Sequence, residues 1–91
     1  MDDQALARLE AALEVLRTAE PFDEATVERE QGAVVERLGV KPGQLYQPLR
    51  VAVTGTTVSP GIFDTLAALG RDEAISRIEG AILRLRAGTH A

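Results

Sequence analysis

Between Lys41 and Arg71 the sequence holds a single base, Arg50, and between Lys41 and Phe63 it holds no acid. A guanidinium free of competing carboxylates can present its donor fork to a base edge or to a phosphate. The residue equally fits an exposed helix position whose methylenes cover apolar neighbours, and the residues alone favour that plainer role. Ser59, Pro60, Gly61 and Ile62 have the composition of a helix start, with Ser59 as cap and Pro60 in first position. Main-chain N–H groups left free there can bond an acceptor on a splayed base or on a phosphate, as RNA loops are read. The same four residues can also do no more than set a turn. Tyr46, the only tyrosine, can stack on a base or close an edge of the core. Thr54, like Thr56 and Thr57, offers a hydroxyl to phosphate, and Gln47 and Gly61 flank these candidates.

Covalent and metal chemistry find little to use. The chain has no cysteine, and its one histidine, His90, lies next to the C-terminus. Thiol nucleophiles, thiolate zinc sites and Ser–His pairs are thereby excluded. The glycines at 39, 43, 55 and 61 are too far apart for a GxxxxGK[ST] or GxGxxG phosphate cradle. Glu28 and Glu30 are two residues apart and do not share a helical face. No catalytic and no metal-ligating residue is expected.

The elements that position these residues all have helical periods, which predicts an all-α domain of five helices. Leu6, Leu9, Leu13 and Leu16 form one stripe over about 4–18, capped by Asp2 or Asp3. Asp23 caps a second helix, with Phe22 and Val27 as a hydrophobic staple and Val27, Val34 and Leu38 inward. Gly39 is its left-handed stop, with Val40 and Val35 completing a Schellman ending. A third helix covers about 44–54, with Leu45, Leu49, Ala52 and Val53 inward. Pro48 inside it implies either a kink or, preferably, a turn over 43–47 with the helix starting at Pro48. The fourth runs from the Ser59 cap to Gly70 with Phe63, Leu66 and Leu69 facing the core. The fifth, about 71–87, carries Ile75, Ile78, Ile82 and Leu85, with Asp72 and Glu73 at its positive end and Arg84 and Arg86 at its negative end.

Ninety-one residues suffice for one domain and one core. The expected layout is a single domain over 1–91: a leading helix at 1–20, core helices at 22–87 and a frayed tail at 88–91. No apolar run approaches the roughly 20 residues a membrane span needs. MDDQALARLE lacks the basic start of a signal peptide, so a cytoplasmic location is expected. The net charge of −4 divides unevenly: residues 1–40 hold ten acids and four bases, residues 41–91 four acids and six bases. The second half permits phosphate binding without promising a strong grip.

Three segments taken together carry more: QPLRVAVTG at 47–55, TTVSPGIF at 56–63, and Leu69-Gly70-Arg71-Asp72. They closely resemble the end of the anticodon-binding region of bacterial glutamyl-tRNA synthetases, where QPLR-x-A-x-TG and S/T-P-G precede Leu-Gly-[KR]-[DE]. The resemblance runs from Phe22 to Leu85 and is densest over 47–79. It implies that Arg50 contacts the last anticodon base and that Ser59, Pro60 and Ile62 lie against that same base. The family reads a U and then a C at the last two anticodon places. Tyr46, Gln47, Thr54 and Gly61 become candidate RNA contacts, and Arg77 occupies a recurrent position, though it can equally pair with Asp72, Glu73 or an acid of the first half. The implied partners are a glutamate tRNA and the remainder of the synthetase, in cis or in trans, with neither membrane nor DNA involved. The His-Ile-Gly-His and Lys-Met-Ser-Lys-Ser signatures of the catalytic domain are absent from the chain. ATP and magnesium would belong to that domain, and no cofactor is expected here.

Two other function classes compete. A free-standing helical adaptor would use the acidic first helix, and a leucine stripe exposed over 4–17 would favour it. A helix-turn-helix DNA binder would read the major groove from the fourth helix. That helix offers Ile62, Phe63, Asp64 and Thr65 where groove readout wants Arg, Lys, Asn or Gln.

Overall fold

The computed structural model describes residues 3–55 and 61–88. They form five helices: α1 (Asp3–Thr18), α2 (Glu24–Leu38), α3 (Pro42–Thr54), α4 (Ile62–Leu69) and α5 (Arg71–Gly88). No strand occurs among the described residues, so the fold is all-α as the periodicities predict.

The leucine stripe of α1 is the backbone of the core. Leu9, Leu13 and Leu16 are buried, Leu6 packs at the edge, and Ala5, Ala12 and Ala19 let neighbouring helices approach closely. Those neighbours are α5, α3 and α2, so the stripe is not the exposed face an adaptor would need. On α2, Asp23 accepts the Thr26 N–H at 2.8 Å, and Val27 and Val34 are fully buried. Gly39 takes φ +67°, and the N–H of Val40 reaches the carbonyl of Val35, closing a Schellman ending as expected. Leu38 does not join the core. It is 38% exposed, because it sits one turn past Val34 at the end of the helix, beyond the elements that cover α2. Gln31 is buried between helices, its Nε2 donating to the carbonyl of Ala12 at 3.1 Å and its Oε1 left without a partner.

The third helix corrects the expected start at Pro48. It begins at Pro42, and Gln44 accepts the Lys41 N–H at 2.9 Å through its side chain. Pro48 lies inside it and deprives the Gln44 carbonyl of its helical partner, an arrangement that costs about 3 kcal/mol in a helix interior. Here the affected carbonyl is in the first turn, on an exposed residue that water can reach. Continuing the helix across Pro48 keeps Leu45 and Leu49 on one face, both fully buried. Each such leucine stabilises by about 1.5–3 kcal/mol, which outweighs the lost bond.

The fourth helix starts at Ile62 with Gly61 as its N-cap, not with Ser59, and ends at Gly70 at φ +85°. Ile62 and Leu66 are buried, while Phe63 and Leu69 are half-buried against the core. On α5, Ala74, Ile78, Ala81 and Ile82 are buried and Ile75 and Leu85 line the edge. The helix runs through Gly88, one residue into the expected tail.

Candidate functional site

Four of the candidate residues lie on one arc of α3. At 100° per residue Tyr46, Gln47, Arg50 and Thr54 fall within about a quarter-turn of one another, while Leu45, Leu49, Ala52 and Val53 face inward. Arg50 is half-buried, and among the described residues its guanidinium has no hydrogen bond or ion pair. Its own carbonyl accepts the Thr54 hydroxyl at 2.7 Å. To donate to a phosphate, the Thr54 hydroxyl would have to turn its proton away from that carbonyl. Gln47 is exposed.

Tyr46 turns inward. Its ring meets the ring of Phe63 edge to face, 5.1 Å between centroids and 87° between planes. Burial, with a smaller contribution from Glu28, pushes its hydroxyl above the ordinary tyrosine range. The contact clamps α3 to α4 and fixes Arg50 relative to the start of α4.

That start is less open than the sequence implies. The Gly61 carbonyl takes the Thr65 N–H at 3.0 Å and the Thr65 hydroxyl at 2.8 Å. A Cβ added to Gly61 would come within 3.3 Å of an Asp64 carboxylate oxygen, the end of an exposed side chain. The Ile62 side chain is 1% exposed and belongs to the core, which leaves only its main chain for a ligand. Ser59 and Pro60 lie outside the described residues, as do Thr56, Thr57 and His90. Asp64 shares a hydrogen bond with Glu24, and that bond, then the Asp64 charge, raises the Glu24 pKa. Two carboxyls therefore stand near the amino end of α4. They disfavour a phosphate there and leave a neutral base edge as the better acceptor.

Two arginines hold the frame, and one of them, Arg77, makes the pair with Glu73 that its spacing allows. Arg77 donates to the Val53 carbonyl at 2.9 Å and to Glu73 at 2.8 Å. It thus joins α5 to the last turn of α3, next to Gly55, whose φ of +80° ends that helix. Arg71 donates to the Ala19 carbonyl and to Glu20, and lies 5.5 Å over the ring of Phe22. It ties α5 to the α1–α2 connection. Both contacts span more than 20 residues of sequence, and no local pattern announces them. Among the described residues no group of three or more His, Cys, Asp or Glu is placed to hold a metal ion.

Comparison with known proteins adds an independent line. A family model described as an anticodon binding domain matches residues 1–82. Glutamate–tRNA ligase from Roseiflexus castenholzii is 50% identical over 86 residues, covering 94% of this chain and 17% of that protein. The enzyme of the same name from Rhodopseudomonas palustris strain TIE-1 is 53% identical over 75 residues, 82% of this chain and 15% of its own. That from Mycolicibacterium vanbaalenii is 44% identical over 77 residues, 84% of this chain and 16% of its own. The chain thus spans about a sixth of the length of the relatives it matches.

Proposed function

The chain belongs to the anticodon binding domain family, and from that premise we propose that it is a tRNA-binding module of a glutamate–tRNA ligase. The observation that carries this reading is identity of about one residue in two along nearly the whole chain. Its work is positional. It engages the last anticodon bases, while glutamate activation, with ATP and magnesium, takes place on parts of the ligase that this chain does not span. Its partners are then the glutamate tRNA and the remainder of the ligase, in cis or in trans, and its compartment is the cytoplasm.

Arg50 is the reading side chain in this proposal. Cytosine presents N3 and O2 as neighbouring acceptors on its Watson–Crick edge, a pair that two N–H donors of a guanidinium fork can match. Uracil presents an N3–H donor at the same place and cannot. That difference separates cytosine from uracil at the last place. Ser59, Pro60 and the main chain at Ile62 would hold the far side of the base, with Gly61 allowing close approach. Gln47 and Thr54 extend the face along α3, and Tyr46 supports it from beneath.

Binding should be weak, because the chain's net charge is −4 and few cations face the RNA. The test is a fluorescence-anisotropy titration at low salt with three RNA or DNA probes. These are a stem-loop carrying the glutamate anticodon, the same stem-loop with its last anticodon base changed, and a DNA duplex. Preference for the first probe supports the reading. Equal affinity for both stem-loops, or preference for the duplex, would falsify it.

A further inference from the structure

The last carbonyls of a helix lack N–H partners within it, and the macrodipole concentrates negative charge among them. In α3 the Val51 carbonyl takes the Gly55 N–H at 2.9 Å, and the Arg50 carbonyl takes the Thr54 hydroxyl at 2.7 Å. Val53 is only 3% exposed, so water has little access to its carbonyl. No base stands in the last turn of α3. The cation comes instead from α5, where Arg77 donates Nη1 to the Val53 carbonyl at 2.9 Å across 24 residues of sequence.

Glu73 directs that reach. Its carboxylate accepts Arg77 Nε at 2.8 Å from one turn earlier on α5, which orients the planar guanidinium whose Nη1 meets Val53. Both side chains of this ion pair are about half exposed, so the pair itself adds little to stability. The bond to the shielded carbonyl matters more, because without it that carbonyl would be buried and unpartnered.

Arg50 lies three residues before Val53, about 60° around the helix and about 4.5 Å along it. The turn that Arg77 closes is therefore the turn that carries Arg50. On the side toward α4, the Tyr46–Phe63 contact holds the same helix. We infer that Arg77 is a positioning residue for anticodon reading, a role that rests on the tRNA-binding reading given above. Without touching RNA, it keeps the last turn of α3 closed so that Arg50 presents its donors in one direction. Once its bond is lost, the last turn opens to bring the Val53 carbonyl to water, while Leu45 and Leu49 stay buried and keep α3 docked. Base discrimination depends on the direction of a donor fork and should therefore suffer while the fold survives.

Arg77→Met keeps the apolar stem and removes the donors, and since the side chain is 44% exposed the helical circular dichroism spectrum should be unchanged. The 91-residue chain and the variant are titrated with the glutamate stem-loop and with the same loop altered at its last anticodon base. In the variant the ratio of the two Kd values should fall about fivefold or more, the size of one lost base contact. Without RNA, the Val53 carbonyl ¹³C resonance should move upfield and the Gly55 amide should exchange several-fold faster. Glu73→Gln, which leaves the carbonyl bond in place, should keep the parental ratio. So should Ile78→Val, which loosens the packing of α5 without removing the guanidinium. An Arg77→Met variant that discriminates like the parent, or a Val53 resonance that does not move, would overturn the positioning role and leave the tRNA reading standing. An equal loss of ratio in Ile78→Val would also overturn it, since loosening of α5 would then suffice. A parent chain that binds both loops equally would overturn the tRNA reading itself, and the positioning role with it.

Discussion

Arg50 sits on a flank of α3 where no acid competes for it, and that freedom is what makes its substitution informative. Arg50→Ala should leave the helical spectrum unchanged, because no contact among the described residues depends on the guanidinium. It should weaken binding to the glutamate stem-loop by about 1–3 kcal/mol and flatten discrimination at the last anticodon base. Uniform weakening across all stem-loops would assign it to phosphate instead. A second residue-scale outcome concerns the carboxyls beside α4. Glu24 has its pKa raised by Asp64, so this pair stabilises the fold below the unfolded-state pKa, and that contribution is lost as pH rises through the folded value. Asp23 is the opposite case. The Thr26 N–H lowers its pKa, so its contribution is present above the unfolded value and lost on acidification through the folded one. Asp64→Asn should move the Glu24 carboxyl midpoint down toward the ordinary glutamate value in a ¹³C NMR titration. An unmoved midpoint would rule out Asp64 as the cause.

At the scale of elements, α5 holds the others in place through Ile78, which is fully buried. Ile78→Ala should cost about 2–5 kcal/mol in urea denaturation, and an unchanged midpoint would mean that α5 is not docked on this side. The sequence made helix existence and most helix ends legible, because those depend on local chemistry. Gly39 stops one helix in the left-handed conformation and Gly70 another at a positive φ, Asp23 caps one, and i, i+3, i+4 spacing marks the buried faces. What it concealed was set by partners distant in the chain. Pro48 argues locally for a helix start, yet burial of Leu45 and Leu49 on one face carries the helix through it. Leu38 continues the pattern of Val34 but has nothing above it. The candidate site divides in the same way: the flank holding Gln47 and Arg50 follows from spacing, whereas the burial of Ile62 and the inward turn of Tyr46 depend on α4 meeting its neighbours.

For the whole molecule, charge bookkeeping limits what RNA binding can be. In the second half of the chain Arg71, Arg77 and Arg86 are engaged by acids. Lys41, Arg50 and Arg84 have no acid partner among the described residues. Three cations at about 0.7 counterions per single-strand phosphate bound the slope of log K against log salt near −2. A markedly steeper slope would require phosphate contacts beyond these. The same economy of functional groups predicts no glutamate-dependent pyrophosphate exchange by the 91-residue chain, since its sequence carries no phosphate cradle. Exchange above background in that assay would refute a purely positional role.

The contact between α1 and α5 joins the first of the five helices to the fifth, and this has a consequence for the order of folding within the domain. During synthesis α1 emerges with its leucine stripe uncovered, and of these five helices the one that covers much of it emerges after the other four. Until α5 clears the exit tunnel, the chain has no way to seal its own core. The vulnerable interval of the domain therefore lasts nearly as long as these five helices take to emerge. Folding is then expected as a single late event, when Ala74, Ile78 and Ile82 arrive to meet helices that have been waiting for them.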